Sequence, residues 1–193
     1  MAYPPKTTTP SSSKIRIISG KYKAHHIEFS ARKNADLRPT SDRLRETLFN
    51  WLMPYIVEAK CLDAFAGSGA LGFEALSRLA KSCDFFELDA QAIKQLEHTK
   101  NKLNADNANI YHANVLSHVQ HCLNYQLIFL DPPFKSELLS EALSLILANE
   151  NISQDALIYA EYPTITPPDL LVHFSILKQT RQGAVSACLL RKQ

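Results

Sequence analysis

The residues whose types and spacing best suit chemistry are Asp131, Pro132, Pro133 and Phe134, which follow the apolar run Leu127–Leu130. We call them the DPPF loop. An apolar run of this length is typical of a buried strand, and open α/β sheets bind ligands at the carboxyl ends of their strands. The prolines restrict the turn, and the Asp131 carboxylate and Pro132 carbonyl are hydrogen-bond acceptors. The loop could hold an amino group on a flat ring, or Asp131 could instead cap the next helix.

The chemistry that such a loop supports is group transfer to the exocyclic amine of a nucleobase. This nitrogen is a poor nucleophile because its lone pair is delocalised into the ring, and two acceptors on its hydrogens can turn the lone pair toward a donor. Methyl transfer from a sulfonium needs mainly this positioning. Stacking of an unpaired base on a ring such as Phe134 contributes roughly 1–3 kcal/mol.

A glycine-rich turn forms the second motif, between a predicted strand at 61–65 and a predicted helix. Leu71, Ala75, Leu76 and Leu79 are predicted to share one side of that helix. Three of the five glycines in the chain fall here and match the dinucleotide fingerprint, with an acid about 20 residues later at the end of the next predicted strand. The glycines are Gly67, Gly69 and Gly72, and the acid is Glu87.

Asp63 favours one of the two ligands that this motif permits. It lies four residues before the first glycine, where its carboxylate would approach the pyrophosphate of NAD. S-adenosylmethionine carries a sulfonium and an ammonium and no phosphate, so it fits this position better.

Predicted strands alternate with predicted helices through most of the chain, which indicates a parallel sheet with right-handed crossovers. The strands are 61–65, 82–88, 108–113, 126–130 and 156–160, and the helices between them are 71–79, 91–104, 116–122 and 136–148. Asp63, Glu87, Asn114 and Asp131 fall at the ends of the first four strands and are predicted to line one cleft. Two extended runs, 172–177 and 184–190, are predicted to close the chain as a hairpin.

The N-terminal segment is the basic part of the chain. Residues 1–50 hold ten Lys or Arg against four Asp or Glu, although the whole chain has a net charge of only +2. Residues 1–13 are predicted to be a disordered tail, residues 14–37 a basic hairpin with Gly20 near its turn, and residues 38–193 the catalytic core of the same domain. The hairpin favours binding to a polyanion, or it is an ordinary edge hairpin protected by lysines.

A helix is predicted to begin after Thr40 or Ser41, either of which can cap it, and to end at Pro54. Its arginines, Arg43 and Arg45, could bind phosphate or pair with Asp42 and Glu46.

Composition excludes several classes of protein. The 193 residues contain no apolar run long enough to cross a bilayer and no secretory signal, so we expect a cytoplasmic protein, and a single domain of this size needs no partner and is expected to be a monomer. The four cysteines are scattered without a CxxC pair. His118, His121 and Cys122 lack further ligands at zinc spacing, so no metal is expected.

Four stretches, in this order and spacing, resemble the RsmD family of bacterial 16S ribosomal RNA guanine-N2 methyltransferases. They are LRPTSDRLRETLFNWL, LDAFAGSGALGFEALSR, FFELD and LIFLDPPF. The resemblance implies a Rossmann-like class I methyltransferase fold, with a mostly parallel seven-stranded sheet and an N-terminal β-hairpin extension. It also implies S-adenosylmethionine as donor and a guanine of 16S rRNA, within the small (30S) subunit or its assembly intermediate, as substrate.

The resemblance assigns roles to individual residues. The donor would contact Asp63, Phe65, Ala66, Gly67, Ser68 and Gly69 through its methionine moiety, Glu87 through its ribose hydroxyls, and Asn114 and Val115 through its adenine, and Leu88 is also expected to contact it. The target base would contact the DPPF loop. RNA contacts are expected from the basic N-terminal segment, at Arg16, Lys21, Lys23, Arg32, Arg38, Thr40 and Arg43. Asn114 stands where the family pattern has aspartate, so we expect altered donor affinity and retained binding.

Three alternatives remain open at this stage. The DPPF loop would serve any exocyclic amine, including adenine N6 in RNA or DNA, and only the resemblance favours guanine. The glycine fingerprint permits an NAD-dependent oxidoreductase. A non-catalytic RNA-binding assembly factor would use the donor merely as a ligand.

Overall fold

A computed structural model of the chain describes residues 12–30, 41–118, 124–134 and 136–193. The strands are β1 Ser12–Arg16, β2 His26–Ser30, β3 Lys60–Asp63, β4 Ser82–Glu87, β5 Ala108–His112, β6 Leu127–Leu130, β7 Leu157–Pro163, β8 Phe174–Gln182 and β9 Val185–Lys192. The helices are α1 Asp42–Leu52, α2 Ala70–Ser77, α3 Ala90–Leu103, α4 Val115–His118 and α5 Leu138–Ala148, with a 3₁₀ helix at Asp169–His173. Of the helices in these ranges, none has both the length and the apolar character to span a membrane.

The main sheet has seven strands in the order β5-β4-β3-β6-β7-β9-β8. The first five are parallel, and β9 runs antiparallel to both of its neighbours. The chain moves outward from β3 to β5 and then returns to β6 on the other side of β3. The strand order therefore reverses between β3 and β6, which is where open α/β sheets form their ligand cleft.

Two apolar layers cover the sheet. On one face, α1 and α2 pack through aromatic pairs, with the rings of Phe49 and Phe129 centred 6.1 Å apart and those of Phe73 and Phe85 4.7 Å apart. On the other face, α5 buries Leu143 and other apolar residues against the second side of β6 and β7. The cleft at the carboxyl ends of β3 and β6 therefore rests on a rigid, doubly covered sheet.

The N-terminal hairpin forms a separate two-stranded antiparallel sheet, with Ile15 opposite Ile27. Both isoleucines are buried, and residues 17–25 connect the strands. The Lys102 ammonium on α3 donates to the His26 carbonyl at 3.2 Å and lies 3.7 Å from the Glu28 carboxylate.

The predicted fold class is confirmed, and the predicted strands of the core agree with the structure to within a few residues. Local predictions differ at four places. One is the first strand of the closing hairpin, predicted at 172–177, which spans Phe174–Gln182 because Asp169–His173 forms a 3₁₀ helix. The first hairpin strand begins at Ser12, inside the predicted tail, and residues 1–11 lie outside the described ranges. The second hairpin strand starts at His26, because residues 17–25 form a longer connection than the predicted turn around Gly20. Finally, α2 ends at Ser77, so Leu79 adopts a left-handed conformation (φ 72°) and is exposed.

The prediction of a helix at 116–122 falls only partly within the described residues. There, α4 starts at Val115 and ends at His118, and residues 119–123 lie outside the described ranges. Ser41 is the N-cap of α1, as predicted, since its hydroxyl accepts from the Leu44 N–H at 3.2 Å.

Candidate active site

The DPPF loop leaves β6 at the point where the strand order reverses. Asp131 is half-buried, Pro132 is buried, and the Phe134 ring is 42% exposed. The Pro133 carbonyl accepts from the Ser136 N–H at 3.1 Å and from the Ser136 hydroxyl at 2.6 Å. By contrast, no donor in the described ranges bonds the Pro132 carbonyl.

Asp131 is not the cap of the next helix, which was the alternative role left open above. The N-cap of α5 is Glu137, whose side chain makes no capping hydrogen bond. Asp131 lies six residues before Glu137, so it does not occupy the N-cap position of α5.

Asp63, at the end of β3, is almost completely buried, with 3% of its surface exposed. One carboxylate oxygen accepts from the Gly72 N–H at 3.0 Å. Burial raises the pKa of Asp63 to about 7, the bond from Gly72 opposes that rise, and the nearby carboxyls of Asp131 and Glu87 add to it. Three acidic side chains thus meet at the cleft, where a cationic ligand would favour their ionised forms.

The glycine turn is fixed to the strands on either side of β3. The Ala64 N–H donates to the Phe129 carbonyl at 3.1 Å, and the Ala66 N–H donates to the Phe86 carbonyl at 2.9 Å. Gly69 caps α2 in the left-handed conformation (φ 77°). These bonds hold residues 65–69 directly at the strand-order reversal.

Gly72 allows α2 to approach the sheet closely. A Cβ atom at this position would lie 2.2 Å from the Phe85 ring and 2.8 Å from the Cys83 sulfur. Only glycine permits this approach, which also brings the Gly72 N–H to Asp63. The third glycine of the fingerprint therefore has a packing role and positions the buried acid.

Glu87 organises the glycine turn from the neighbouring strand. Its carboxylate accepts from the Gly67 N–H at 2.9 Å, and also from the N–H groups of Leu88 at 2.8 Å and Asp89 at 2.7 Å. The Leu88 side chain is 63% exposed beside it. Glu87 thus has a structural role that the sequence did not predict, and its contact with a ribose stays a prediction.

The structure limits what Asn114 and Val115 can do. The side-chain oxygen of Asn114 accepts from the Leu116 N–H at 3.0 Å and so caps α4, which leaves one of its lone pairs for a ligand. The Val115 side chain is buried, with 2% of its surface exposed, so only its backbone can meet an adenine ring. Of the other residues predicted to bind the donor, Phe65 and Ser68 are half-buried and Ala66 is buried.

Four of the residues predicted to bind RNA are described and exposed. They are Arg16, Lys21, Lys23 and Arg43. Arg32, Arg38 and Thr40 lie outside the described residues. Arg45 is fully buried, so it cannot bind phosphate at the surface; it pairs with Asp42 at 2.6 Å and does not pair with Glu46.

One acid at this edge was not predicted to have a role. Glu161 lies on β7, is 3% exposed and accepts from the Tyr159 hydroxyl at 2.7 Å. Leu130 on β6 pairs with Ala160 on β7, so Asp131 and Glu161 are the next residues on two neighbouring strands. The sequence signal was present, since an apolar run followed by an acid occurs at 157–161 as it does at 127–131.

The zinc pattern considered above is only partly described. The His118 ring packs against the Phe86 ring at 5.1 Å between centroids, and His121 and Cys122 lie outside the described ranges. Within those ranges, no group of three or more His, Cys, Asp or Glu residues is arranged to hold a metal.

Comparisons with known proteins bear on this site. The family described as "Conserved hypothetical protein 95" matches residues 15–191. Ribosomal RNA small subunit methyltransferase D of Haemophilus influenzae is 40% identical over 191 residues, which cover 94% of this chain and 96% of the relative. The chain belongs to the RsmD family. The resemblance seen in the four sequence motifs is therefore confirmed.

Other RsmD relatives agree over nearly the whole chain. The Escherichia coli enzyme of the same name is 38% identical over 190 residues, covering 97% of this chain and 95% of the relative. A solved Escherichia coli structure, YhhF, provisionally assigned as a methyltransferase, superposes with a TM-score of 0.83 at 39% identity and covers 94% of this chain and 99% of that one.

A more distant neighbour shares the fold. Thermus thermophilus RsmC, a 16S rRNA guanine-N2 methyltransferase solved with AdoMet and guanosine, has a TM-score of 0.73 at 18% identity. The match covers 98% of this chain and 52% of that one. At this identity the likeness shows the Rossmann-like fold alone.

Proposed function

We propose that this RsmD-family protein transfers a methyl group from S-adenosylmethionine to the exocyclic N2 amine of one guanine in 16S rRNA. The observation that carries the proposal is the position of the DPPF loop at the strand-order reversal, beside the buried Asp63. The names of relatives about 40% identical support the rRNA substrate.

The donor site fits a cationic ligand better than an anionic one. The buried carboxylate of Asp63 would hold the methionine moiety, Glu87 would meet the ribose, and the exposed Leu88 would cover the adenine. When bound, S-adenosylmethionine supplies a methyl group on a sulfonium sulfur. Positive charge beside Asp63 would favour ionisation of a carboxyl whose pKa burial raises to about 7.

The DPPF loop would hold the acceptor. The Asp131 carboxylate and the Pro132 carbonyl each accept one N–H of the guanine amine, which turns the nitrogen lone pair toward the methyl carbon. The nitrogen–carbon bond forms as the carbon–sulfur bond breaks, and the sulfonium becomes a neutral thioether. The nitrogen then releases one proton, which the Asp131 carboxylate accepts. Phe134 stacks on the flipped base.

The basic N-terminal segment would bind the RNA around the target. Arg16, Lys21, Lys23 and Arg43 are exposed and suit phosphate contacts. We place Arg32, Arg38 and Thr40 in the same surface from sequence alone. In this proposal the protein acts as a monomer in the cytoplasm, on the small ribosomal subunit or its assembly intermediate.

A transfer assay with methyl-labelled donor tests the proposal. Unmethylated small subunits, naked 16S RNA and DNA are incubated in parallel, and the modified nucleoside is identified. We expect label on guanine N2 of the subunit. Asp131→Ala should abolish transfer while donor binding persists, whereas the exposed Asp155→Ala should match the wild type.

Each rival function predicts a different outcome. Label on adenine would refute the choice of base, and full activity of Asp131→Ala would refute the mechanism. Donor binding without transfer to any substrate would indicate a non-catalytic assembly factor. Calorimetric binding of NAD without binding of S-adenosylmethionine would indicate an oxidoreductase.

A further inference from the structure

A buried carboxylate joins the N-terminal hairpin to α2. Glu74 is fully buried, and its two oxygens accept from the N–H groups of Ile18 at 2.7 Å and Ser19 at 3.1 Å. The Arg78 guanidinium on the next helical turn donates to the same carboxylate at 2.8 Å. The connection between β1 and β2 is therefore bonded through its backbone to one side chain of α2.

Arg45 adds α1 to this junction. Its guanidinium is fully buried, donates to the Arg16 carbonyl at 3.0 Å, and lies 3.8 Å from the Glu74 carboxylate. A buried ion pair stabilises a fold no better than well-packed apolar residues would, but its bonds are directional. This junction therefore fixes the direction in which the hairpin leaves the core.

Ser77 forms the second half of the junction. Its hydroxyl donates to the Ser19 carbonyl at 2.5 Å and accepts from the Tyr22 N–H at 2.9 Å, while its own carbonyl accepts from the Lys21 N–H at 2.7 Å. Between these bonds, Gly20 (φ +85°) lies so close that a Cβ atom would be 1.9 Å from the Ser77 carbonyl oxygen. The backbone of the connection rests directly on the helix.

The same short helix begins at the candidate donor site. Gly69 is the N-cap of α2, and the Gly72 N–H bonds Asp63. Eight residues of helix span about 12 Å, so Glu74 and Ser77 lie within one or two turns of the glycine turn. The exposed cations Arg16, Lys21 and Lys23 lie in or next to the hairpin connection, which Glu74 and Ser77 hold near the other end of α2.

We propose that the contact of residues 17–22 with α2 fixes the RNA-binding hairpin at a set distance from the methyl donor. Gly20, Glu74 and Ser77 are then positioning residues for the RNA substrate. This inference rests on the proposed function, because it assumes that the hairpin binds the RNA to be methylated. The ligand of the positioned surface is the phosphate backbone of the RNA beside the target base.

Two variants release the hairpin without touching the DPPF loop or Asp63. Gly20→Ala introduces the clash with the Ser77 carbonyl. Gly183→Ala is its control, since Gly183 has a similarly positive φ of +60° but nothing within 4 Å of its added Cβ. Ser77→Ala removes two hydrogen bonds while keeping a good helix former, and the exposed Ser144→Ala on α5 is its control.

Hydrogen exchange first shows whether the junction has opened. The N–H groups of Ile18, Ser19, Lys21 and Tyr22 should exchange faster in both variants than in their controls, because their acceptors are on α2. We then expect the KM for small subunits to rise roughly tenfold, with kcat at saturating RNA and donor affinity within about twofold of wild type.

The result distinguishes this inference from the proposed function. Methylation by the wild type tests the function, and the difference between variant and control tests the junction. If the wild type does not methylate RNA, the binding of a 16S RNA fragment is measured by fluorescence anisotropy instead. The inference then still requires both variants to bind the fragment more weakly than their controls do. Faster exchange with an unchanged KM would overturn the inference. A loss of donor affinity as large as the rise in KM would also overturn it, because the substitutions would then have altered α2 itself.

Discussion

The Asp63→Asn variant tests two effects of the buried carboxylate separately. One is its effect on the free energy of unfolding, and the other is its contribution to donor affinity. Asparagine keeps an oxygen that can accept from the Gly72 N–H, which now donates at 3.0 Å, and it removes the ionisable group. Burial raises the pKa of Asp63 from its ordinary 3.8 to about 7. At 1.36 kcal/mol per pKa unit, this shift corresponds to roughly 4 kcal/mol of unfolding free energy.

The sign of this contribution follows from the protons bound. Between pH 3.8 and about 7, Asp63 is protonated in the folded protein and ionised in the unfolded chain. The folded state binds more protons there, so the contribution of Asp63 to stability falls as pH rises through this range and stays low above it. The asparagine of the variant does not ionise, so its contribution to stability does not change with pH. We expect the variant to exceed the wild type by up to roughly 4 kcal/mol at pH 8 and to match it near pH 4.

Urea unfolding followed by the fluorescence of the one tryptophan, Trp51, measures this difference at both pH values. Titration calorimetry measures donor binding. We expect Asp63→Asn to bind S-adenosylmethionine roughly ten- to a hundredfold more weakly at pH 8, because a hydrogen bond to a charged group contributes about 1.5–3 kcal/mol. Wild-type affinity should rise between pH 6 and 8 as Asp63 ionises, and the affinity of the variant should not.

The exposed Asp155→Asn is the control and should change neither property. These two roles of Asp63 are refuted if Asp63→Asn is no more stable than the wild type at pH 8. They are also refuted if the variant keeps the dependence of donor affinity on pH, since another group would then be titrating.

Three further changes test other parts of the site. Phe134→Ala should leave stability nearly unchanged, because the ring is 42% exposed, but lower kcat/KM by roughly ten- to a hundredfold through lost stacking; Phe134→Tyr should retain activity. Gly72→Ala should destabilise the fold by roughly 1–3 kcal/mol in a urea titration, because its Cβ would lie 2.2 Å from the Phe85 ring. Asn114→Asp should tighten donor binding by calorimetry, because a carboxylate bonds an adenine amine more strongly than an amide oxygen does while still capping α4.

Local patterns were sufficient to predict the parts of the site that lie at strand ends. The DPPF loop follows an unbroken apolar run, whereas the glycine turn and Glu87 follow predicted strands that each contain an aspartate, and these three segments became β6, β3 and β4. In a parallel sheet these ends meet at one edge, so the residues converge whatever the details of packing. The same rule applied to residues 157–161 would have found Glu161.

Contacts between distant segments could not be predicted in this way. Glu74 bonds Ile18 across 56 positions, and no periodicity in the chain relates the two. A signal was nevertheless present, because Glu74 is the only charged residue in α2, whose residues are all buried. A lone acid in an apolar helix must find donors, but its sequence does not say which segment supplies them. Arg45 was ambiguous for the same reason.

The glycine fingerprint illustrates how one sequence pattern can serve different ligands. In a dinucleotide site, free N–H groups of the turn bind the pyrophosphate. Here the Gly67 N–H donates to the Glu87 carboxylate at 2.9 Å, and the Gly69 N–H donates to the Ala66 carbonyl at 2.6 Å. A pyrophosphate would have to displace these bonds and approach the Asp63 and Glu87 carboxylates. A donor that is cationic near Asp63 avoids both costs, which favours S-adenosylmethionine over NAD on physical grounds independent of family membership.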